Sequence, residues 1–178
     1  MNRVFYIFRH GETDWNILRR LQGHSDIPLN PNGIEQSRSI QSELQKINPT
    51  KIYSSDLVRA VDTAKISTEK LFHSSPVQYE TEPIITTPNL REVYLGQAEG
   101  LTHDEIQQKF GIDLWAEWTQ NNPRSFDMRF PDGESKTEAL NRFENFIRQQ
   151  CDAAIQAVGT PSAFQSSQNP NPYSSKSI

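Results

Sequence analysis

The sequence predicts an α/β fold: a three-layer α/β/α sandwich with a mainly parallel central sheet. Two observations carry this. Short apolar, β-branched and aromatic runs alternate with longer stretches of helical periodicity, in the order strand, helix, strand, helix, strand. Each change of element is also marked by capping or turn chemistry rather than by a long linker.

The elements follow in order. "RVFYIF", residues 3–8, reads as a buried strand. "PLNPNGIEQSRSIQSELQKI", residues 28–47, reads as one helix, with Asn30 as N-cap, Pro31 in the first turn and Ile34, Ile40, Leu44 and Ile47 on one face. "KIYSSD" reads as a second strand, and Asp56 is suited to cap the helix that begins near Leu57. "VQYETE", residues 77–82, reads as a weaker third strand. Thr102 with Glu105, and Ser135 with Glu138, are capping boxes that start a short and a long helix. Leu140, Phe143, Ile147, Cys151, Ala154 and Val158 form an apolar stripe on the long helix, which should pack on the sheet. Trp115 and Trp118, between these helices, are placed to close over a pocket.

Composition narrows the function. A chain of 178 residues suits one domain with a real core. A net charge of -4 argues against a broad nucleic-acid surface, which needs a basic face. It leaves room for a small anion held by a few converging arginines. The single cysteine, Cys151, allows neither an intrachain disulfide nor a zinc cluster. No apolar run approaches the ~20 residues of a membrane span, and "MNRVFYIF" is a poor signal peptide. The expected location is the cytoplasm. The segment 159–178 is dominated by Ser, Pro, Asn and Gln, and is expected to be a poorly ordered tail after a domain of residues 1–158.

The chemistry-bearing residues cluster where strands should end. Arg9 and His10 lie just past the first predicted strand, and Gly11 permits a sharp turn there. On these residues alone, a solvated strand-to-loop turn is an equally good account. Arg59 opens the helix after the second strand, so it too sits at the carboxyl edge of the sheet. Two arginines converging there would clamp an oxyanion. Taken alone, Arg59 reads as a surface arginine. Glu92 follows Arg91; it reads either as half of a surface pair or as an acid able to protonate a leaving alcohol.

"FRHGETDWN", "GHSDIPLNPNG", "IYSSDLVRAVDTA", "LREVYLGQAEGLTHDEI" and "FPDGES" occur in this order. Together they resemble the successive motifs of the histidine phosphatase superfamily, the phosphoglycerate mutase-like family, over residues 3 to about 158. The resemblance implies that His10 is a nucleophile forming a phosphohistidine, that Arg9 and Arg59 hold the phosphoryl oxygens, and that Glu92 is the proton donor. It implies substrate-binding roles for Asn16, Gln22 and Gly23, and no cofactor or metal. "EVYLGQAEGLTHDEI" is similar to the phosphatase branch rather than to the mutases. A small phosphorylated metabolite is the implied partner; a phosphoglycerate mutase-type phosphotransferase is a further alternative.

One element of the family pattern is missing. Members carry a second histidine in a Ser-His-Gly motif on a late apolar strand, which lies between the strands equivalent to residues 3–8 and 51–55. This chain has four histidines, His10, His24, His73 and His103, and none follows residue 103. The sandwich is therefore expected to lack one central strand, and activity is expected to be impaired. A non-catalytic remnant that binds phosphate weakly is the competing reading. The abrupt change after Val158 has the form that a frameshift or altered C-terminus would produce. His24, His73 and His103 are expected in structural or solvent roles rather than as a replacement.

Overall fold

The computed structural model describes residues 4–73, 84–120 and 123–159. It is an α/β fold whose sheet, among the described residues, has two strands. A short helix α1, Asp14–Ile17, is followed by α2, Pro31–Ser39, and α3, Gln41–Ile47. Strand β1, Ile52–Ser55, leads into α4, Val58–His73, and strand β2 is Ile84–Thr87. Then come α5, His103–Phe110; α6, Ile112–Thr119; α7, Pro123–Asp127; and the long α8, Lys136–Gly159. The strands are parallel, with Ile52 opposite Ile84 and Ser55 opposite Thr87. Their carboxyl ends thus lie together, and both lead directly to candidate site residues.

The first predicted strand is the main correction. Val4 to Phe8 has no strand assignment and is 41–75% exposed. A central strand of a parallel sheet is buried because neighbours lie on both edges. Here β1 pairs with β2 alone, and no strand bridges β1 to residues 4–8 among the described residues. The full three-layer sandwich is not reached, although helices flank the sheet. The predicted third strand, 77–82, lies outside the described residues; the second strand among the described residues is Ile84–Thr87.

The predicted helix over 28–47 starts as expected, with Asn30 accepting from the Gly33 amide and Pro31 at N1. It breaks at Ile40. Ser37 and Ser39 bond back to the carbonyls of Gly33 and Gln36, a local competition that bends helices. The buried stripe is Gly33, Ser37, Gln41 and Leu44, with Ile34, Ile40 and Ile47 only half-buried. Small polar residues let α2 approach α4 closely, and Gln41 donates to the Ile66 carbonyl at 2.7 Å.

Both capping boxes form. Asp56 does not cap α4. Asp26 accepts from the Val58 amide at 2.7 Å and Ser55 from that of Leu57, while Asp56 takes the two-pronged grip of Arg91. Helix α8 does pack on the sheet: Phe146 meets Tyr53 edge-on, and the Tyr53 hydroxyl donates to Gln150. Its buried face is turned from the expected one, however. Ala139 and Phe146 are buried and Leu140 is 45% exposed; Ala154 and Val158 lie outside the described side chains. Trp115 and Trp118 pack on the core of Leu95, Ala98, Ile106 and Phe130.

Candidate active site

The loop after residues 4–8 is pinned at two points. The Gly11 amide donates to Thr63 Oγ1 at 3.0 Å, and the Thr63 hydroxyl donates to the Arg59 carbonyl at 2.7 Å. On the other side Gly11 rests on Gly33, and a Cβ on Gly11 would collide with the Gly33 backbone. Glycine is needed there for close approach rather than for the sharp turn the sequence suggested, since Gly11 is not among the positive-φ residues.

His10 Nδ1 lies 2.7 Å from the Gly11 carbonyl oxygen. A carbonyl only accepts, so Nδ1 carries the proton and Nε2 keeps its lone pair. Nε2 is buried and has no hydrogen-bond partner among the described residues. Burial pushes the His10 pKa below its ordinary value of 6.5; the Gly11 bond opposes this, and the charges of Arg59 and Arg9 reinforce it. The result is a neutral imidazole with a free lone pair, the form a nucleophile requires.

Arg59 is 1% exposed. It donates from Nη1 to the Ser25 carbonyl and from Nη2 to that of Gly23, each at 2.7 Å. Its Nη2 lies 3.9 Å from Glu92 Oε2, and its Nε is buried without a partner among the described residues. A guanidinium has five N–H donors. Arg59 thus holds the 23–25 turn with two of them, and others, Nε included, are left over. Gly23 has φ +50°, and a Cβ there would run into the Glu99 carboxylate. That carboxylate accepts from the His24 amide at 2.6 Å and the Ser25 hydroxyl at 2.7 Å. Arg59 and Glu99 cage the turn from opposite sides.

Asn16 and Gln22 are tied into the same loop system. Asn16 Oδ1 accepts from the Thr13 amide in a capping box, and Thr13 Oγ1 is 3.0 Å from the oxygen of buried Gln22. Arg9 is exposed and makes no hydrogen bond or ion pair among the described residues. Glu92 follows β2 and a single 3-10 turn, Pro88–Leu90, with its side chain 47% exposed. Its neighbour Arg91 pairs with Asp56, so Glu92 is not half of an Arg91 pair.

The geometry therefore brings His10, Arg59 and Glu92 to one neighbourhood at the carboxyl ends of the strands. His24 turns its Nε2 to the Glu92 carbonyl at 2.9 Å and stacks on Tyr94. His103 stacks on Trp115 on the surface of α5. The side chain of His73 lies outside the described residues. Sequence reasoning missed Thr63, Asp26 and Glu99, whose signals were only their places inside the quoted motifs. Among the described residues no three His, Cys, Asp or Glu side chains group as metal ligands, and no helix is long and apolar enough to cross a membrane.

The profile of the histidine phosphatase superfamily, branch 1, matches residues 5–157. The chain belongs to that superfamily. Proteins named as phosphatases are among its structural neighbours. Bacillus stearothermophilus YhfR aligns with a TM-score of 0.68 at 32% identity, covering 82% of this chain and 65% of that one. A mycobacterial glucosyl-3-phosphoglycerate phosphatase, in complex with VO3, aligns at 0.65 and 30%, covering 80% and 64%. Among curated sequences, a probable phosphoglycerate mutase GpmB of Proteus mirabilis is 35% identical over 145 residues, 78% of this chain and 59% of the relative. Phosphoglycerate mutase-like protein 4 of Arabidopsis thaliana is 32% identical over 86% of this chain and 59% of its own length. The chain thus spans about three-fifths of the length of these curated relatives.

Proposed function

We propose that this chain is a phosphomonoester hydrolase that works through a phosphohistidine on a small phosphorylated metabolite. The observation that carries the reading is His10: its Nε2 is buried, unprotonated and unpartnered, beside the buried guanidinium of Arg59. The likeness to a phosphatase in complex with the oxyanion VO3 supports it.

In this reading His10 Nε2 attacks phosphorus in line with the ester oxygen. The P–O bond breaks, and Glu92 delivers a proton to the leaving alkoxide. Arg59, aided by the exposed Arg9, neutralises charge on the phosphoryl oxygens. Glu92, now a carboxylate, takes a proton from water as it attacks the phosphohistidine, releasing phosphate and restoring neutral His10. Asn16, Gln22 and Gly23 shape the substrate side. Every step runs through protein side chains, with no metal, and the expected setting is the cytoplasm. The mutase names of the curated relatives keep a phosphotransferase as the second reading.

A chain that binds phosphate weakly and turns it over poorly is the competing reading. What favours it is that residues 4–8, which lead into Arg9 and His10, have no strand partner among the described residues; a misplacement of ~1 Å costs about a hundredfold in rate.

The test is phosphoenzyme trapping. Wild-type chain incubated with a radiolabelled phosphomonoester should acquire an acid-labile, base-stable label that His10→Ala lacks. Label remaining in His10→Ala would end the reading. A family-like rate of chromogenic ester hydrolysis by this chain would refute the weak-binder reading.

A further inference from the structure

The Glu92 carbonyl oxygen accepts two side-chain donors from distant parts of the chain. His24 Nε2 is 2.9 Å away, and Arg142 Nη2, from α8, is 2.6 Å away. Arg142 also reaches two other carbonyls of the same turn: Nη1 lies 3.0 Å from Asn89 O and 3.5 Å from Pro88 O. The whole turn from β2 to Glu92 is thus gripped by one guanidinium.

That guanidinium is itself held. Glu134 accepts from Arg142 Nη2 at 2.7 Å and from Nε at 3.2 Å. The same carboxylate accepts from the Tyr94 amide at 2.8 Å, and the Glu134 amide donates to the Tyr94 carbonyl. Glu134 therefore joins the chain on both sides of the turn: it fixes residue 94 and orients the arginine that fixes residues 88–92. Burial pushes the Glu134 pKa up, but the bonds from Arg142 and Tyr94 outweigh it and hold the carboxyl below its usual range. A fork of planar N–H donors can serve three carbonyls and a carboxylate at once; an ammonium cannot.

We infer that Arg142, locked by Glu134 and seconded by His24, is a positioning residue that fixes the Glu92 backbone so that its carboxyl group stands beside Arg59. Among the described residues the Glu92 side chain makes one contact of this kind itself, the 3.9 Å approach to Arg59, and it is half-exposed. Its aim consequently depends on where its backbone is held. The inference rests on the proton-donor role proposed for Glu92.

The test exploits leaving-group chemistry. Nitrophenolate leaves without a proton, whereas an alkoxide needs one in the transition state. A loosened acid therefore slows alkyl esters selectively, while general damage to the fold slows both. Glu92 also serves as base in the dephosphorylation step that both esters share, so the comparison is made on kcat/KM, which reports events up to transfer to His10. Arg142→Gln should lower kcat/KM for an alkyl phosphate by about a hundredfold, the scale of a misplacement of ~1 Å, and that for p-nitrophenyl phosphate by less than about threefold. Arg142→Lys should recover only part of the loss, and Glu134→Gln, which keeps the arginine but weakens its lock, should fall between. Equal losses on both esters, or none, would overturn the inference. If wild-type chain hydrolyses neither ester and takes up no label on His10, the phosphatase reading has failed. Amide exchange then decides the anchoring: Arg91 and Glu92 must exchange at least tenfold faster in Arg142→Gln with α2 unchanged, and equal exchange overturns it.

Discussion

Ile7→Ala separates an unpartnered segment from a true central strand. Ile7 is 75% exposed, so only about a quarter of its apolar surface leaves water on folding. Full burial of such a side chain stabilises by roughly 1.5–3 kcal/mol, which puts ~0.5 kcal/mol at stake in this chain. In a buried strand the same truncation costs about 2–5 kcal/mol, because a cavity is left as well. The control is Ile106→Ala, fully buried in the core with Leu95, Ala98 and Phe130, where the larger cost is expected. Urea unfolding measures both, the midpoint shift being read at constant slope. A loss of about 2 kcal/mol or more for Ile7→Ala would refute the reasoning. With a partner strand supplied, burial of Val4 to Phe8 would be worth roughly 5 kcal/mol, and Ile7→Ala should become costly.

Gly33→Ala sets a Cβ against the backbone of Glu12 and should destabilise the chain by about 1–3 kcal/mol, displacing the loop that carries His10; a crystal structure with that loop unmoved would contradict the close-approach argument. His10 makes stability depend on pH. Its folded pKa lies below 6.5, so the unfolded chain takes up the proton first, and stability falls as pH drops from about 6.5 toward the lower folded value. Urea midpoints measured between about pH 5 and 8 should show this limb in wild type and lose it in His10→Gln. Asp56→Asn should cost under about 1 kcal/mol, since the pair with Arg91 is partly exposed, yet it should speed exchange of the Arg91 amide.

The sequence by itself determined what local chemistry and motif order can encode. The caps at Asn30, Thr102 and Ser135 each satisfy orphan amides within a few residues, so no distant partner was needed to read them. The parallel course of the strands followed from the alternation of elements, and the family from five motifs in order. The tertiary structure decided what depends on neighbours. Apolar "VFYIF" is a strand in sequence, but strand pairing needs an adjacent backbone, and among the described residues β1 has only β2. On paper Asp56 is the local cap for α4 and Asp26 is no candidate; in the fold Arg91, thirty-five residues from Asp56, takes Asp56, and Asp26 accepts from the Val58 amide. Leu140 is apolar yet exposed, because the rotation of α8 follows the rings of Tyr53 and Phe146 rather than the helix's own stripe. Arg142 carried no sequence signal at all: what it does is set by three carbonyls brought beneath it by the turn after β2.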